Sequence, residues 1–210
     1  MKNLFDKYLD STGSNFILAK PQAHDIEIAL WNSFRSGNRE ALNTIFEKNA
    51  RVLYSYGMNL TSDGDLIADC IQDIFVELWV KREIVAPQVN SIKHYLIKSV
   101  RRRILRRLTE EKRLAGRALP DIYHEAVEFH IEFNLIQDQT LREISLQLQS
   151  SVATLSNGQQ EAIYLKFYEN MTYEEVASVM KTNVKAVYNL VGKSIISLRK
   201  YFKAHPLVRQ

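Results

Sequence analysis

Apolar residues return every three or four positions along most of the chain, the spacing of one face of an α-helix. The first block runs from about residue 26 to 108. Ala29, Leu30 and Phe34 open it, and Ala41, Leu42, Ile45, Phe46, Val52, Leu53 and Tyr56 continue it. Ser36-Gly37-Asn38 interrupts the pattern with Glu40 close behind, so a helix restarts there. Thr61-Ser62-Asp63-Gly64-Asp65 is the next break and carries N-cap residue types. The following helix stacks Leu66, Cys70, Ile74 and Leu78 on one stripe, with Ile67, Ile71, Phe75 and Trp79 beside it. Asp65, Asp69, Gln72, Asp73 and Glu77 fill its remaining surface. After Ala86-Pro87-Gln88, Ser91 can cap a helix over 92–108.

Residues 1–25, with Ser11, Gly13, Ser14 and Pro21, are weakly periodic and read as an arm. Residues 111–152 read as an acidic linker that enters a helix over about 135–148. The last block, 153–210, predicts three helical segments. The first covers 154–168 with Ser156 as its cap. The second begins at Thr172-Tyr173-Glu174-Glu175, a capping-box pattern. The third places Val184, Val187, Val191, Ile195, Leu198 and Phe202 at helical spacing after Asn183. The expected fold is all-α: two helical domains, 26–110 and 153–210, joined by the linker, with a helix-turn-helix in the second.

Seven Gly and four Pro in 210 residues agree with a helical chain. No apolar run is long enough to span a membrane, and the N-terminus lacks the basic start and apolar core of a signal peptide. A single cysteine, Cys70, excludes an internal disulfide and a cysteine-based zinc cluster, and a reducing cytoplasm is expected. The net charge of +4 conceals a strong pattern. Residues 93–117 hold ten Lys/Arg against two acids, residues 118–152 six acids against one Arg, and residues 166–210 eight basic residues against three acids. Two basic blocks on one chain point to two nucleic-acid surfaces.

Two short helices about the turn Met180-Lys181-Thr182-Asn183 have the dimensions of a helix-turn-helix, with small Ala177 where they cross. The third helix then presents Lys185, Ala186, Tyr188 and Asn189 near its N-terminus, where a recognition helix meets base edges. Asn189 can pair with adenine, and Lys185 or Tyr188 can reach bases or phosphates. Lys193 and Arg199 suit phosphate contact, which sets affinity rather than sequence. In the first domain, Arg101, Arg102, Arg103, Arg106 and Arg107 crowd one helix. Their mutual repulsion calls for a polyanion or an acidic partner. His94 and Tyr95, earlier on the same helix, could stack on unpaired bases. The acid-and-amide rim around Phe75 and Trp79 would suit a basic protein surface, although such aromatics are more often core residues.

Taken in order, these segments resemble the extracytoplasmic-function group of bacterial RNA polymerase sigma factors. The resemblance rests on Gly37-Asn38-Arg39-Glu40-Ala41-Leu42, on residues 69–79 from Asp69 to Leu78-Trp79, on Tyr95 through the arginines, and on Leu155-Ser156 through Ser197-Leu198-Arg199-Lys200. It implies that Asp69, Gln72, Asp73, Phe75 and Trp79 lie at a contact with the β′ clamp of core polymerase. It also implies that Tyr95, Lys98, Arg101, Arg102, Arg103 and Arg106 meet the −10 element and its melted strand. Lys185, Ala186, Tyr188, Asn189, Lys193 and Arg199 would meet the −35 duplex, with the β flap as a further polymerase contact. Arg102 stands where Asn is usual, and Tyr188-Asn189-Leu190-Val191-Gly192 replaces an arginine-rich run, so no promoter sequence is implied. The family often works with a membrane-tethered anti-sigma factor.

No metal or nucleotide cofactor is implied, since the five histidines are scattered and no Gly-rich phosphate loop or hydrolase motif occurs. Nor does a nucleophile–base pair stand out, so the chain does not read as an enzyme. Two alternatives stay open: a helix-turn-helix regulator acting without core polymerase, and a degenerate sigma relative acting as a protein-interaction module.

Overall fold

The computed structural model describes residues 23–114 and 139–206, and the described residues contain no strand. Four helices form the first unit: α1 (Ala23–Arg35), α2 (Arg39–Met58), α3 (Gly64–Val80) and α4 (Ile92–Leu114). The breaks fall where cap chemistry supplies them. Asn38 accepts from the backbone N–H groups of Glu40 and Ala41 at 2.9 and 3.3 Å, and Asp63 accepts from Leu66 N–H at 2.9 Å. These side chains satisfy amides that a helix start would leave unpaired. Gly37 turns the chain between α1 and α2 with φ +92°, a conformation that favours glycine.

α2 packs against both α3 and α4, and α1 crosses α2. Gly57 permits the close approach: a Cβ there would meet Ile67 Cγ2 at 2.5 Å. Trp31, Phe34, Ile45, Leu53, Ile67, Leu96, Ile97 and Ile104 are fully enclosed. Trp31 also donates its indole N–H to the Ala86 carbonyl at 2.9 Å, tying α1 to the segment after α3.

The second unit comprises α5 (Gln139–Ala153), α6 (Asn157–Ile163), a π-helical turn Tyr164–Tyr168, α7 (Tyr173–Met180) and α8 (Val184–Ala204). Thr172 and Glu175 form the expected capping box, at 3.2 and 2.8 Å. Lys181 ends α7 in the left-handed conformation, φ +53°, and Asn183 caps α8 by accepting from Ala186 N–H at 2.8 Å. Val176, Ala177, Val179, Met180, Val187 and Val191 form the shared core of the two helices.

Three expected boundaries move. α4 runs six residues beyond 108, because residues 110–114 are good helix formers with no breaker before Gly116, and Thr109 ties its hydroxyl to the Leu105 carbonyl at 2.7 Å. The helix expected over 135–148 continues to Ala153, where Ser151 and Thr154 hydroxyls satisfy the carbonyls of Leu148 and Ser151, both at 2.7 Å. The single helix expected over 154–168 is instead a short α-helix followed by the π turn. The residues expected to form most of the arm, and linker residues 115–138, lie outside the described residues. No described helix is long and apolar enough to cross a membrane, and the described residues hold no cluster of three metal-ligating side chains.

Candidate nucleic-acid interface

On α8, the side chains of Lys185, Tyr188, Asn189, Lys193 and Arg199 are exposed along the outer face. Ala186 is half-buried at the capped turn. Tyr188 lies flat on Tyr173 of α7, with ring centroids 3.8 Å apart and planes 19° apart. The Lys166 ammonium sits 4.6 Å from the Tyr173 ring centroid and donates to the Met171 carbonyl at 2.9 Å. The pair fixes Tyr188 at the start of the recognition helix, a constraint that sequence reasoning missed because Tyr173 also fits an ordinary helix-start position.

The arginine helix α4 is arranged differently. Arg101 is 4 % exposed and Glu161 of α6 is 2 % exposed. Arg101 donates through Nε to Glu161 Oε1 at 2.7 Å and through a terminal nitrogen to Oε2 at 3.3 Å. The Tyr56 hydroxyl of α2 donates to the same Oε1 at 2.6 Å. Around this buried pair, Lys93 meets Glu169 at 2.9 Å, His94 meets Glu175 at 3.0 Å, and Lys98 donates to the Ser178 hydroxyl at 2.8 Å. Burial works against the Glu175 carboxylate, yet the hydrogen bond from Thr172 and the neighbouring His94 hold its pKa below the usual carboxylate value. Tyr95 packs edge-on to Trp31, and burial raises its hydroxyl pKa.

The remaining arginines divide between partners. Arg103 pairs with Asp73 and Glu77 of α3, and Arg107 with Asp73 at 3.3 Å. Arg106 faces Glu110 one turn on at 3.8 Å, both exposed. Arg102 is exposed and lines a small cleft with Lys81, Tyr95 and Ser99. A hydrogen bond from Lys81 lowers the Glu77 pKa against a small burial penalty. The acidic partner that crowded guanidiniums require is therefore supplied twice within the chain, by α3 and by α6.

The third surface lies between α2 and α3, an apolar groove of about 610 Å³. Phe46, Tyr54, Phe75, Val76 and Trp79 line it, with Gln72 at its edge and Asp69 exposed on the same helix. Phe75 is 8 % exposed and meets Phe46 edge-on at 5.0 Å, so it forms both core and groove floor. Trp79 is half-buried near two guanidiniums, Arg39 at 5.4 Å and Arg82 at 4.9 Å. Val76 is 58 % exposed, and its apolar neighbours Phe46 and Tyr54 were missed because they read as ordinary helix-face residues.

The described residues form two helical units that carry an exposed polar face on α8, an arginine-rich helix α4 and an open apolar groove between α2 and α3. The sequence matches Sigma-70 region 2 over residues 45–114 and Sigma-70, region 4 over residues 145–195. It is 22 % identical over 174 residues to an ECF RNA polymerase sigma factor, SigK, of Mycolicibacterium vanbaalenii, covering 82 % of this chain and 87 % of that protein. A further SigK, from a Mycobacterium species (strain JLS), is 21 % identical over 168 residues, covering 76 % and 82 %. The fold is similar to that of CnrH in complex with the cytosolic domain of CnrY, with TM-score 0.56, 20 % identity, and 86 % and 99 % of the two chains covered. It is also similar to RpoE in complex with the anti-sigma factor NepR from Bartonella quintana, with TM-score 0.54, 17 % identity, and 79 % and 96 % covered. The chain belongs to the sigma-70 family of RNA polymerase sigma factors, in its extracytoplasmic-function group.

Proposed function

We propose that this sigma factor docks on the β′ clamp of core RNA polymerase through α3 and the groove beside it. Asp69, Gln72, Asp73, Phe75 and Trp79 belong to that contact, together with Val76 and Phe46. The helix-turn-helix carries promoter specificity: Lys185, Ala186, Tyr188 and Asn189 meet −35 base edges, Lys193 and Arg199 meet phosphates, and the same domain contacts the β flap. α4 serves the −10 element through Tyr95, Lys98, Arg101, Arg102, Arg103 and Arg106. The functional units are residues 26–110 and 153–210, separated by a connecting segment at 111–152 and preceded by an arm at 1–25. The site of action is the cytoplasm, where an anti-sigma factor would compete for the groove.

The observation that carries this reading is the pairing, on one chain, of an unfilled apolar groove beside α3 with a helix-turn-helix whose recognition face is open. An open apolar groove marks a contact with a partner, which DNA binding by itself does not require. The test is to mix the protein with core polymerase and assay co-elution and promoter-selected transcription. Val76→Glu, on the exposed wall of the groove, should abolish co-elution while leaving the melting temperature unchanged. Tight duplex binding without any core complex would replace this reading with that of a free-standing regulator.

A further inference from the structure

We propose that Tyr173 of α7 is a positioning residue for promoter reading: it holds the Tyr188 ring as a fixed apolar surface that reads a thymine methyl group in the −35 duplex. The inference rests on the proposed role of α8 at that duplex and names the chemistry by which α8 reads it. Three elements build the arrangement. Tyr173 opens α7 directly after its Thr172 cap, and Tyr188 lies in the second turn of α8, itself capped by Asn183. The two rings stack with centroids 3.8 Å apart and planes 19° apart. Lys166, from the π turn, places its ammonium over the Tyr173 ring at 4.6 Å while donating to the Met171 carbonyl at 2.9 Å. Tyr188 covers one face of Tyr173 so closely that the ammonium lies over the other. Two stacked π faces repel, and a cation against the far face weakens that repulsion.

Tyr188 nevertheless remains 53 % exposed on the outer face of α8. An unsupported tyrosine on a helix surface samples several rotamers, and ordering it on binding weakens the complex. Here the ordering is done within the chain. With one ring face against Tyr173, the opposite face, the ring edge and the hydroxyl are left for DNA. A hydroxyl both donates and accepts, so it meets any base edge without choosing. The apolar ring does choose, since the thymine C5-methyl is the apolar group on the major-groove edge of a base pair. The same stripe of α8 agrees. Gly192, one turn on, adds no side chain beside the ring, and Lys185 lies one turn before it. The first arginine of α8 is Arg199, eleven residues on, so the guanidinium that reads guanine with two bonds is missing from this end.

The test uses the complex of the full chain with core polymerase. A pool of promoter duplexes randomised over the upstream element is selected for binding. Each thymine of the selected −35 sequence is then replaced in turn by deoxyuridine, which lacks only the methyl. At one thymine the parent should bind about fourfold more weakly after replacement, the worth of one buried methyl group. This ratio is taken within one protein, so general changes in affinity or charge cancel. Tyr173→Leu and Tyr188→Ala should each bring it to one, whereas Tyr173→Phe and Tyr188→Phe, which keep both rings, should retain it. A stack that only stabilised the fold would shift the melting temperature and leave the ratio unchanged. Lys166→Gln keeps both rings and should lower the ratio without abolishing it; it serves if Tyr173→Leu fails to fold. A selected element without thymine, or thymines whose methyls are all dispensable, overturns the inference. So does a ratio that survives intact in Tyr188→Ala, in Tyr173→Leu or, where that variant does not fold, in Lys166→Gln. If the complex binds DNA but selects no upstream sequence, the −35 role of α8 falls and the inference with it; a selected sequence with no methyl effect removes the inference alone.

Discussion

α4 and α8 are the two cationic helices of this sigma factor, and they differ in what faces their cations. Along α8, Lys185, Lys193 and Arg199 point to solvent. Along α4, Arg101, Arg103 and Arg107 are paired with carboxylates of the same chain. Charge counted along a sequence locates where phosphate could bind. It does not say whether the cations are available, because a carboxylate brought from elsewhere in the fold competes for them. The cations of α8 are open to a ligand from outside the chain, whereas those of α4 already face carboxylates within it.

The largest expected effect tests how firmly α4 holds its partners. Glu161→Ala strips the compensation from Arg101. Leaving such a charge enclosed costs about 3–5 kcal/mol. We expect a loss of that size in urea denaturation, because one buried apolar cluster runs through both units around the pair. For contrast, Arg199→Ala on α8 should stay within about 0.5 kcal/mol. A loss for Glu161→Ala as small as that would show that Arg101 reaches water without Glu161.

Acid should separate the two helices again. The Glu175 carboxyl titrates below its ordinary value of 4.5, as does that of Glu77. A carboxyl with a lowered folded pKa adds stability that is present above the unfolded value and lost as pH falls through the folded one. The contacts of α4 with α7 and α3 should therefore weaken together only below about pH 4.5, the ordinary value of both groups. α8 carries no Asp or Glu between Val184 and Ala204 and has no comparable loss of its own. Urea denaturation repeated across the acid range reads this directly. Contacts that keep their full stability well below that pH would show that these two carboxylates contribute little to them.

The difference between the helices also marks how far the sequence could be read. Stripes such as Leu66, Cys70, Ile74, Leu78 and caps such as Thr172–Glu175 are local, since each partner lies within a turn or two, so α3, α7 and α8 were legible. The exposed polar face of α8 follows from the same periodicity. Arg101 and Glu161 stand 60 residues apart, and no spacing rule joins them. The π turn escaped as well: Tyr164–Tyr168 has ordinary helical composition and no breaker residue marks it. The groove was half legible. Its acid-and-amide rim was visible, but that Phe46 and Tyr54 remain uncovered depends on how α2 and α3 meet.

A smaller effect concerns the turn that aims α8. Lys181 holds φ +53° at the end of α7, a conformation costing a residue with a Cβ about 1 kcal/mol or more. Its N–H still bonds to the Ala177 carbonyl, which any residue can do. Lys181→Gly should stabilise the chain by up to about 1 kcal/mol, less the entropy glycine adds to the unfolded state. Thermal unfolding checks it, and a lower melting temperature would mean that the exposed Lys181 side chain contributes more than its backbone costs.

Gly192 gives the smallest effect and the finest distinction. Glycine inside a helix costs about 0.5–1 kcal/mol relative to alanine. Among the described residues a Cβ here would meet nothing within 4 Å, so their packing does not require the glycine. Gly192 sits on α8 three residues past Asn189 and one before Lys193, on the stripe that continues from Lys185. A requirement from outside the chain would be close approach of the DNA backbone to this face. Gly192→Ala should then raise the melting temperature and at the same time weaken duplex binding. Stability and affinity moving in opposite directions would identify α8 as a surface shaped for its ligand, where α4 is shaped first for its own chain. A gain in stability with unchanged affinity would remove close DNA approach as the reason for the glycine.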